Sequence, residues 1–332
     1  MPSPEPLYPL RFAPIFKRLI WGGRRLASVL GKPIGPEDDY AESWELADHG
    51  QDVSCVVNGA LAGTSLRELV ESRGVELLGE SLAGLYQFPL LVKVLDAQRV
   101  LSVQVHPDDA LGQRLVHDNG KTEAWVILEA EPGSRIYAGL KPGTTRESFA
   151  QAIERGEVEP LLHTFEPHAG DCVFIPAGTV HAIGAGVLLA EIQQMSDATF
   201  RVFDWNRVGD DGRPRRLHVS ESLEATDYEA APVEPIPADA SRPVQALVSC
   251  PYFAFERRWL APKTPQRLDL GGRFAIVMSL SGQSVLSAGT HSERLSRGET
   301  LLLPASLGSC ELEAVGDPSS VLVCQCPDRG SS

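Results

Sequence analysis

The sequence predicts a mainly β protein built from two small barrels, the first with minor helical insertions. Three observations predict this. Apolar segments are short, rich in Val, Ile and Leu, and interrupted by Gly, Pro, Asp and Asn, the pattern of many strands joined by tight turns. One unit of turn, strand and proline occurs twice, as Gly170-Asp171-Cys172-Val173-Phe174-Ile175-Pro176-Ala177 and as Gly298-Glu299-Thr300-Leu301-Leu302-Leu303-Pro304-Ala305. The 332 residues exceed what one ordinary core needs, and 43% apolar with 22% charged residues is the balance of a folded globular chain.

In chain order, strands are expected at Leu90–Leu95, Arg99–Val105, Ala124–Leu128, Asp171–Ile175, Gly186–Ile192, Arg273–Leu280 and Glu299–Leu303. Two surface helices are expected. Thr64–Arg73 has a Thr cap before Leu66, Leu69 and Val70; Thr145–Arg155 has Glu147 early, Arg155 late, and Phe149 one turn from Ile153. The proline-rich passage Ala231–Pro243 favours extended linker conformations, so a domain of residues 1–235 is expected before it and one of 240–332 after it. The repeated unit is typical of the jelly-roll-like barrels called cupins. Its first copy continues to His181, whereas the second has Ser309 at that place. The second barrel is therefore expected to be a degenerate, supporting cupin without metal ligands.

A formal net charge of -14, with only short basic runs such as Arg213-Pro214-Arg215-Arg216, argues against nucleic acid as a partner. A phosphorylated substrate would need a locally positive pocket. The stretch Met1 to Arg18 lacks the apolar core of a secretory signal, and no segment is long enough to cross a bilayer. Six scattered cysteines form no compact disulfide framework, so a cytoplasmic protein, monomeric or weakly homo-oligomeric, is expected. Cys324 and Cys326 read as buried thiols of a terminal strand.

Residues two apart on a strand share a face, so Gln104 and His106 point together, as do Lys121 and Glu123 where the next strand opens. Pro176-Ala177-Gly178-Thr179-Val180-His181 is a turn that delivers one more histidine. Converging in one barrel, Gln104, His106, Glu123 and His181 make a mixed nitrogen and oxygen site suited to zinc, and also to iron, manganese or cobalt. Each residue alone has a plainer role, as a turn, an ion-pair or a core residue; two imidazoles, a carboxylate and an in-register amide together point to a metal.

The same residues carry a family resemblance. The chain resembles the type I mannose-6-phosphate isomerases in their shorter bacterial form, through Ile20-Trp21-Gly22-Gly23, Glu42-Ser43-Trp44-Glu45, Leu101-Ser102-Val103-Gln104-Val105-His106-Pro107, Gly120-Lys121-Thr122-Glu123-Ala124-Trp125, Pro176 to His181, and Glu191 to Asp197 followed by Phe200-Arg201-Val202-Phe203-Asp204. These matches run in family order over roughly the first two thirds of the chain. Phe200 stands where the family often has tyrosine, and Met195 where it often has a small polar residue. The resemblance implies a cupin fold, zinc held by Gln104, His106, Glu123 and His181, a catalytic Arg201, and mannose 6-phosphate and fructose 6-phosphate as substrates.

That reaction moves a proton between adjacent carbons through an enediol. It needs charge stabilisation, expected from a metal and Arg201, and a base, for which Lys121 and Glu191 are both candidates. Asp197 is expected to orient Arg201, to assist ring opening, or only to cap a turn. Lys141, with Lys121 and Arg201, is a candidate for binding the sugar phosphate. Trp21, Trp44 and Trp125 read as core residues. Two rivals stand beside this reading: another cupin enzyme such as an iron dioxygenase, and a sugar-phosphate sensor without turnover.

Overall fold

The computed structural model describes residues 6–208 and 212–327. Residues 1–5, part of the stretch read for a leader, lie outside them. The chain divides into two compact units, one of Phe16–Trp44 and Leu90–Ala238, the other of Met1–Ile15, Glu45–Pro89 and Asp239–Ser332. The final crossing between units falls at the proline-rich passage. Residues 45–89, expected with the first 235, instead group with the last third. Long-range pairing causes this: Leu10 and Leu302 exchange both backbone hydrogen bonds, at 2.8 and 2.9 Å, and Phe88 packs on Phe274 at 5.0 Å between ring centroids.

Among its described residues, the unit containing residues 90–238 holds eleven strands. They are β1 (Ile15–Gly23), β2 (Tyr40–Leu46), β3 (Leu90–Ala97), β4 (Val103–Val105), β5 (Glu123–Ala130), β6 (Ile136–Leu140), β7 (Leu162–Phe165), β8 (Cys172–Ile175), β9 (His181–Ile183), β10 (Val187–Gln194) and β11 (Phe200–Phe203). A six-stranded sheet runs in the order β1-β2-β3-β10-β5-β8, and a five-stranded sheet in the order β11-β4-β9-β6-β7. Both contribute to one core that includes Leu95, Trp125, Ile127, Ile136, Ile183 and Leu189, which makes the unit a cupin barrel. The expected strand Arg99–Val105 is shorter than its apolar pattern suggests. Arg99 N–H donates to Trp21 O of one sheet and Leu101 N–H to Ile183 O of the other, so this stretch crosses between sheets before β4 begins.

The helix Arg146–Arg155 forms where expected, with Thr145 and Ser148 in a reciprocal cap and Gly156 ending it at φ 66°. Its Phe149 and Ile153 pack with Val103, Val105 and Val202, on the outer face of the smaller sheet. The other helix belongs to the second unit and runs Leu66–Leu78, longer than expected. Ser65, not Thr64, is its cap, because Ser65 and Glu68 satisfy each other's backbone N–H; the backbone breaks at Arg73 (φ −137°) and resumes to bury Leu77 and Leu78.

The proline-rich passage is extended, as its composition predicts, but it is tied down. Ile236 and Cys172 exchange backbone hydrogen bonds at 2.8 and 2.9 Å, Val233 N–H donates to Ala138 O at 3.1 Å, and Val233 packs on the barrel core.

The second unit has a five-stranded sheet whose last strand is Thr300–Leu303 and a four-stranded sheet containing Ser309–Ala314. The sequence repeat is structural. Cys172–Ile175 and Thr300–Leu303 each form the end strand of the larger sheet of their unit, and Gly170 (φ 95°) and Gly298 (φ 81°) each turn the chain into it. His181 and Ser309 each open a strand of the smaller sheet. Cys324 and Cys326 are buried and form no disulfide. Among the described residues, no helix is long and apolar enough to cross a membrane.

Candidate metal centre

The inward faces of the barrel strands change chemistry along their length. On β3 the face runs Ala97, Leu95, then Lys93; on β10 Val187, Leu189, then Glu191 and Gln193; on β5 Ile127, Trp125, then Glu123; on β9 Ile183, then His181. One end of the barrel is therefore packed with apolar side chains, and the other is lined by ionisable ones. Register aligns them: Glu191 pairs with Lys93 and Trp125, and Gln193 pairs with Glu123.

At the ionisable end, His106, Glu123 and His181 converge, and one ligand atom from each lies within 4.8 Å of the others. His106 Nε2 is 3.4 Å from Glu123 Oε2, His181 Nε2 is 3.3 Å from Glu123 Oε1, and the imidazole centroids are 4.8 Å apart. All three side chains are buried. His106 Nδ1 faces Ala198 O at 3.0 Å and His181 Nδ1 faces Thr179 O at 2.9 Å. A carbonyl oxygen can only accept, so each Nδ1 carries the proton and each Nε2 presents a lone pair. Backbone carbonyls fixing the far nitrogen are how metal-binding histidines are oriented.

Burial, then the charge of Lys121, pushes His106 down to about 3, and burial lowers His181 as well, so both imidazoles are neutral. Their contacts with Glu123 are therefore not ion pairs. Burial opposes the Glu123 anion, but the Lys121 charge holds its pKa well below the usual carboxylate range. His106 Nε2 and His181 Nε2 have no hydrogen-bond donor, while Glu123 Oε2 faces the Lys121 ammonium at 3.2 Å and Glu191 Oε1, on the next strand, faces Lys93 at 3.5 Å. Two buried imidazole acceptors crowded against a carboxylate without donors of their own are costly, and a divalent cation would satisfy them. The donors are imidazole nitrogens and a carboxylate with no thiolate, which fits zinc and its borderline neighbours. Among the described residues, no other three His, Cys, Asp or Glu side chains form such a group.

The remaining expected residues take clear places. Gln104 pairs with His181 on one side and Arg201 on the other, so all three lie in one row across the smaller sheet. Two strand spacings, roughly 10 Å, separate the ends of that row. Lys121 precedes β5 instead of opening it, yet its Nζ sits 3.2 Å from Glu123 Oε2. Asp197 is exposed; its N–H donates to Asp118 Oδ2 at 2.9 Å, and its carboxylate is close enough to favour the Lys93 cation. Lys141 is not brought into the cluster: it is exposed, and its ammonium donates to Pro160 O at 2.8 Å. Trp21, Trp44 and Trp125 are buried, with Trp125 edge-on to His181 at 5.5 Å.

Two residues of this site carried no role in the sequence reading. Lys93 is buried on β3, 3.5 Å from Glu191 Oε1, 3.7 Å from Glu42 Oε2 and 5.0 Å above the Trp44 ring. Burial works against its charge, but Glu42, Glu191, Asp197 and Glu123 outweigh it and raise its pKa. A single lysine inside the apolar run Leu90–Leu95 was the available signal, since an unpaired buried ammonium would not survive there. Glu42 is its partner.

The turn that delivers His181 depends on Gly178. With φ 88°, Gly178 donates its N–H to His106 O at 2.9 Å, and an added Cβ would meet Asp227 Cβ at 3.1 Å and Ala225 O at 3.2 Å. Gly178→Ala is expected to cost about 1–3 kcal/mol in denaturant unfolding, from left-handed strain and the close approach together. A cost below about 0.5 kcal/mol would show that the turn adapts without strain.

Comparison with known proteins places these features in context. The profile described as phosphomannose isomerase type I, catalytic domain, matches residues 10–126, and that of the mannose-6-phosphate isomerase cupin domain matches residues 244–319. A mannose-6-phosphate isomerase of Streptococcus mutans serotype c is 35% identical over 297 residues, 89% of this chain and 92% of its own length. The mannose-6-phosphate isomerase ManA of Bacillus subtilis strain 168 is 36% identical over 315 residues, 93% of this chain and 97% of its own length. A crystal structure of the mannose 6-phosphate isomerase from Bacillus subtilis matches with TM-score 0.86 at 29% identity, covering 96% of this chain and 99% of that one.

Proposed function

Given that this chain belongs to the type I phosphomannose isomerase family, we propose that its barrel end holds one divalent cation, zinc by preference, and interconverts mannose 6-phosphate and fructose 6-phosphate. The observation that carries this reading is the buried convergence of His106, Glu123 and His181, with both imidazole Nε2 atoms left without a donor. Gln104, in register with His181, is the fourth candidate ligand.

When bound, such an ion supplies Lewis-acid polarisation and fixed orientation of sugar oxygens. The chain's own residues supply the rest. Glu191 is the better-placed base. Burial and then the Glu123 charge push its carboxyl up to about 7, against the Lys93 charge 3.5 Å from its Oε1, whereas the Lys121 ammonium is engaged by Glu123 at 3.2 Å. A group near that value can take the proton from C2 of the aldose and return it to C1. Arg201 offers its guanidinium to the oxygen where negative charge grows. Lys121 and Arg201, with the exposed Lys141 that also donates to Pro160 O, are the cations proposed for the phosphate. None of the six cysteines is in a disulfide, which supports a reducing compartment such as the cytoplasm.

Purified protein supplied with mannose 6-phosphate should form fructose 6-phosphate in proportion to its divalent metal content. Binding of fructose 6-phosphate with no turnover at full metal loading would turn the reading to a sensor. Iron content with oxygen consumption would turn it to a dioxygenase.

A further inference from the structure

We infer that Asp204 is a positioning residue that fixes Arg201 by clamping Arg207 and Arg215 onto one buried carboxylate, an inference that rests on the role given to Arg201 above. After β11 the chain reverses through Trp205 (φ 55°) and Asn206 (φ 54°), two successive non-glycine residues in the left-handed region. Such backbone persists only where its surroundings over-determine it. Here they do. Trp205 Nε1 donates to Leu101 O at 2.7 Å, and Arg207 Nη1 donates to Val100 O at 2.6 Å.

Asp204, 5% exposed, receives three donors: Arg207 Nη2 at 2.5 Å, Arg215 Nε at 2.7 Å and Arg215 Nη2 at 2.6 Å. The Arg215 pair is a bidentate fork, the strongest geometry available to a guanidinium and a carboxylate. Just beyond it, the chain closes on Arg201. Arg201 Nη1 donates to Arg216 O at 2.9 Å, Arg201 N–H donates to His218 Nδ1 at 3.0 Å, and His218 N–H donates back to Arg201 O at 2.8 Å. The Arg201 side chain is thus anchored on a carbonyl one residue from the Asp204 clamp. Its buried Nε has no partner.

Charge points the same way. Arg215 and Arg207 both oppose the Arg201 cation, and Asp204 favours it. Without that carboxylate, three guanidiniums would repel one another and the Arg216 carbonyl would lose its fixed place. Because Asp204 acts only through Arg201, its loss should matter only while Arg201 is present.

A double-mutant cycle tests this on the metal-loaded enzyme, reading kcat and KM for fructose 6-phosphate, bound metal and the thermal midpoint. Asp204→Asn should lower kcat on the order of 100-fold, the cost of a displaced catalytic group, with bound metal unchanged. In an Arg201→Ala background it should lower kcat by less than about threefold further. Arg215→Lys keeps the charge but loses the fork, and should show the same dependence on Arg201 with a loss of about tenfold; it carries the cycle if Asp204→Asn does not fold. Losses that multiply in both backgrounds would overturn the inference and leave Asp204 a structural residue. An unchanged kcat in Arg201→Ala alone would instead remove Arg201 from the chemistry, and the positioning role with it, while metal-dependent turnover by the wild type would still stand.

Discussion

Glutamine in place of Glu123 is expected to leave a folded protein that carries no divalent ion and isomerises at least on the order of a thousandfold more slowly. The substitution keeps the shape of the side chain and removes the one anion that faces both imidazoles, at 3.3 and 3.4 Å. Two neutral imidazoles and two amides would then face a divalent ion, a set with no charge to offset its lost hydration. Chelation of the wild type should have the same effect, with one difference. Added zinc, manganese or cobalt should restore the chelated wild type but not Glu123→Gln. Metal analysis beside a coupled isomerase assay reads both. Wild-type turnover in a demonstrably metal-free sample of the variant would end the proposal that the His106–Glu123–His181 centre works through a cation.

Lys93→Met should be the most destabilising single change in the barrel, by about 3–5 kcal/mol in chemical denaturation. Methionine fits the space, but Glu191 and Glu42 would lose the ammonium at 3.5 and 3.7 Å that offsets their charge. Side chains of Lys93 and Glu191 are 5% and 4% exposed, so little solvent screening is available to replace it. Adding Glu191→Gln to Lys93→Met should recover part of the loss, since the uncompensated charge is then removed. A change below about 1 kcal/mol would mean that Lys93 has no structural part and serves chemistry alone.

The sequence made the three clustered residues legible because strand periodicity is local: Gln104 and His106, or Lys121 and Glu123, are two apart whatever the rest of the chain does. His181 was legible through its turn, whose glycine and proline announce a reversal. The repeat was legible for the same reason, and its two copies occupy matching places in their sheets. Other features were not local. Lys93 lies in a run that reads only as a buried strand, and its partners Glu42 and Glu191 come from strands on either side of it in the sheet. Residues 45–89 join the last third because Phe88 meets Phe274 and Gly79 lies against the Gly272 carbonyl, contacts about two hundred positions apart that no window of sequence displays. Lys141 was legible only as a turn lysine. Beside glycine and proline it looks available for an anion, and a carbonyl from the following short helical turn also engages it.

The division of the barrel interior, with Leu95, Ile127, Ile183 and Leu189 at one end and ligating groups at the other, separates folding from loading. A receptacle whose floor is hydrocarbon is expected to keep its shape when drained, so chelated protein should retain the far-ultraviolet circular dichroism of loaded protein.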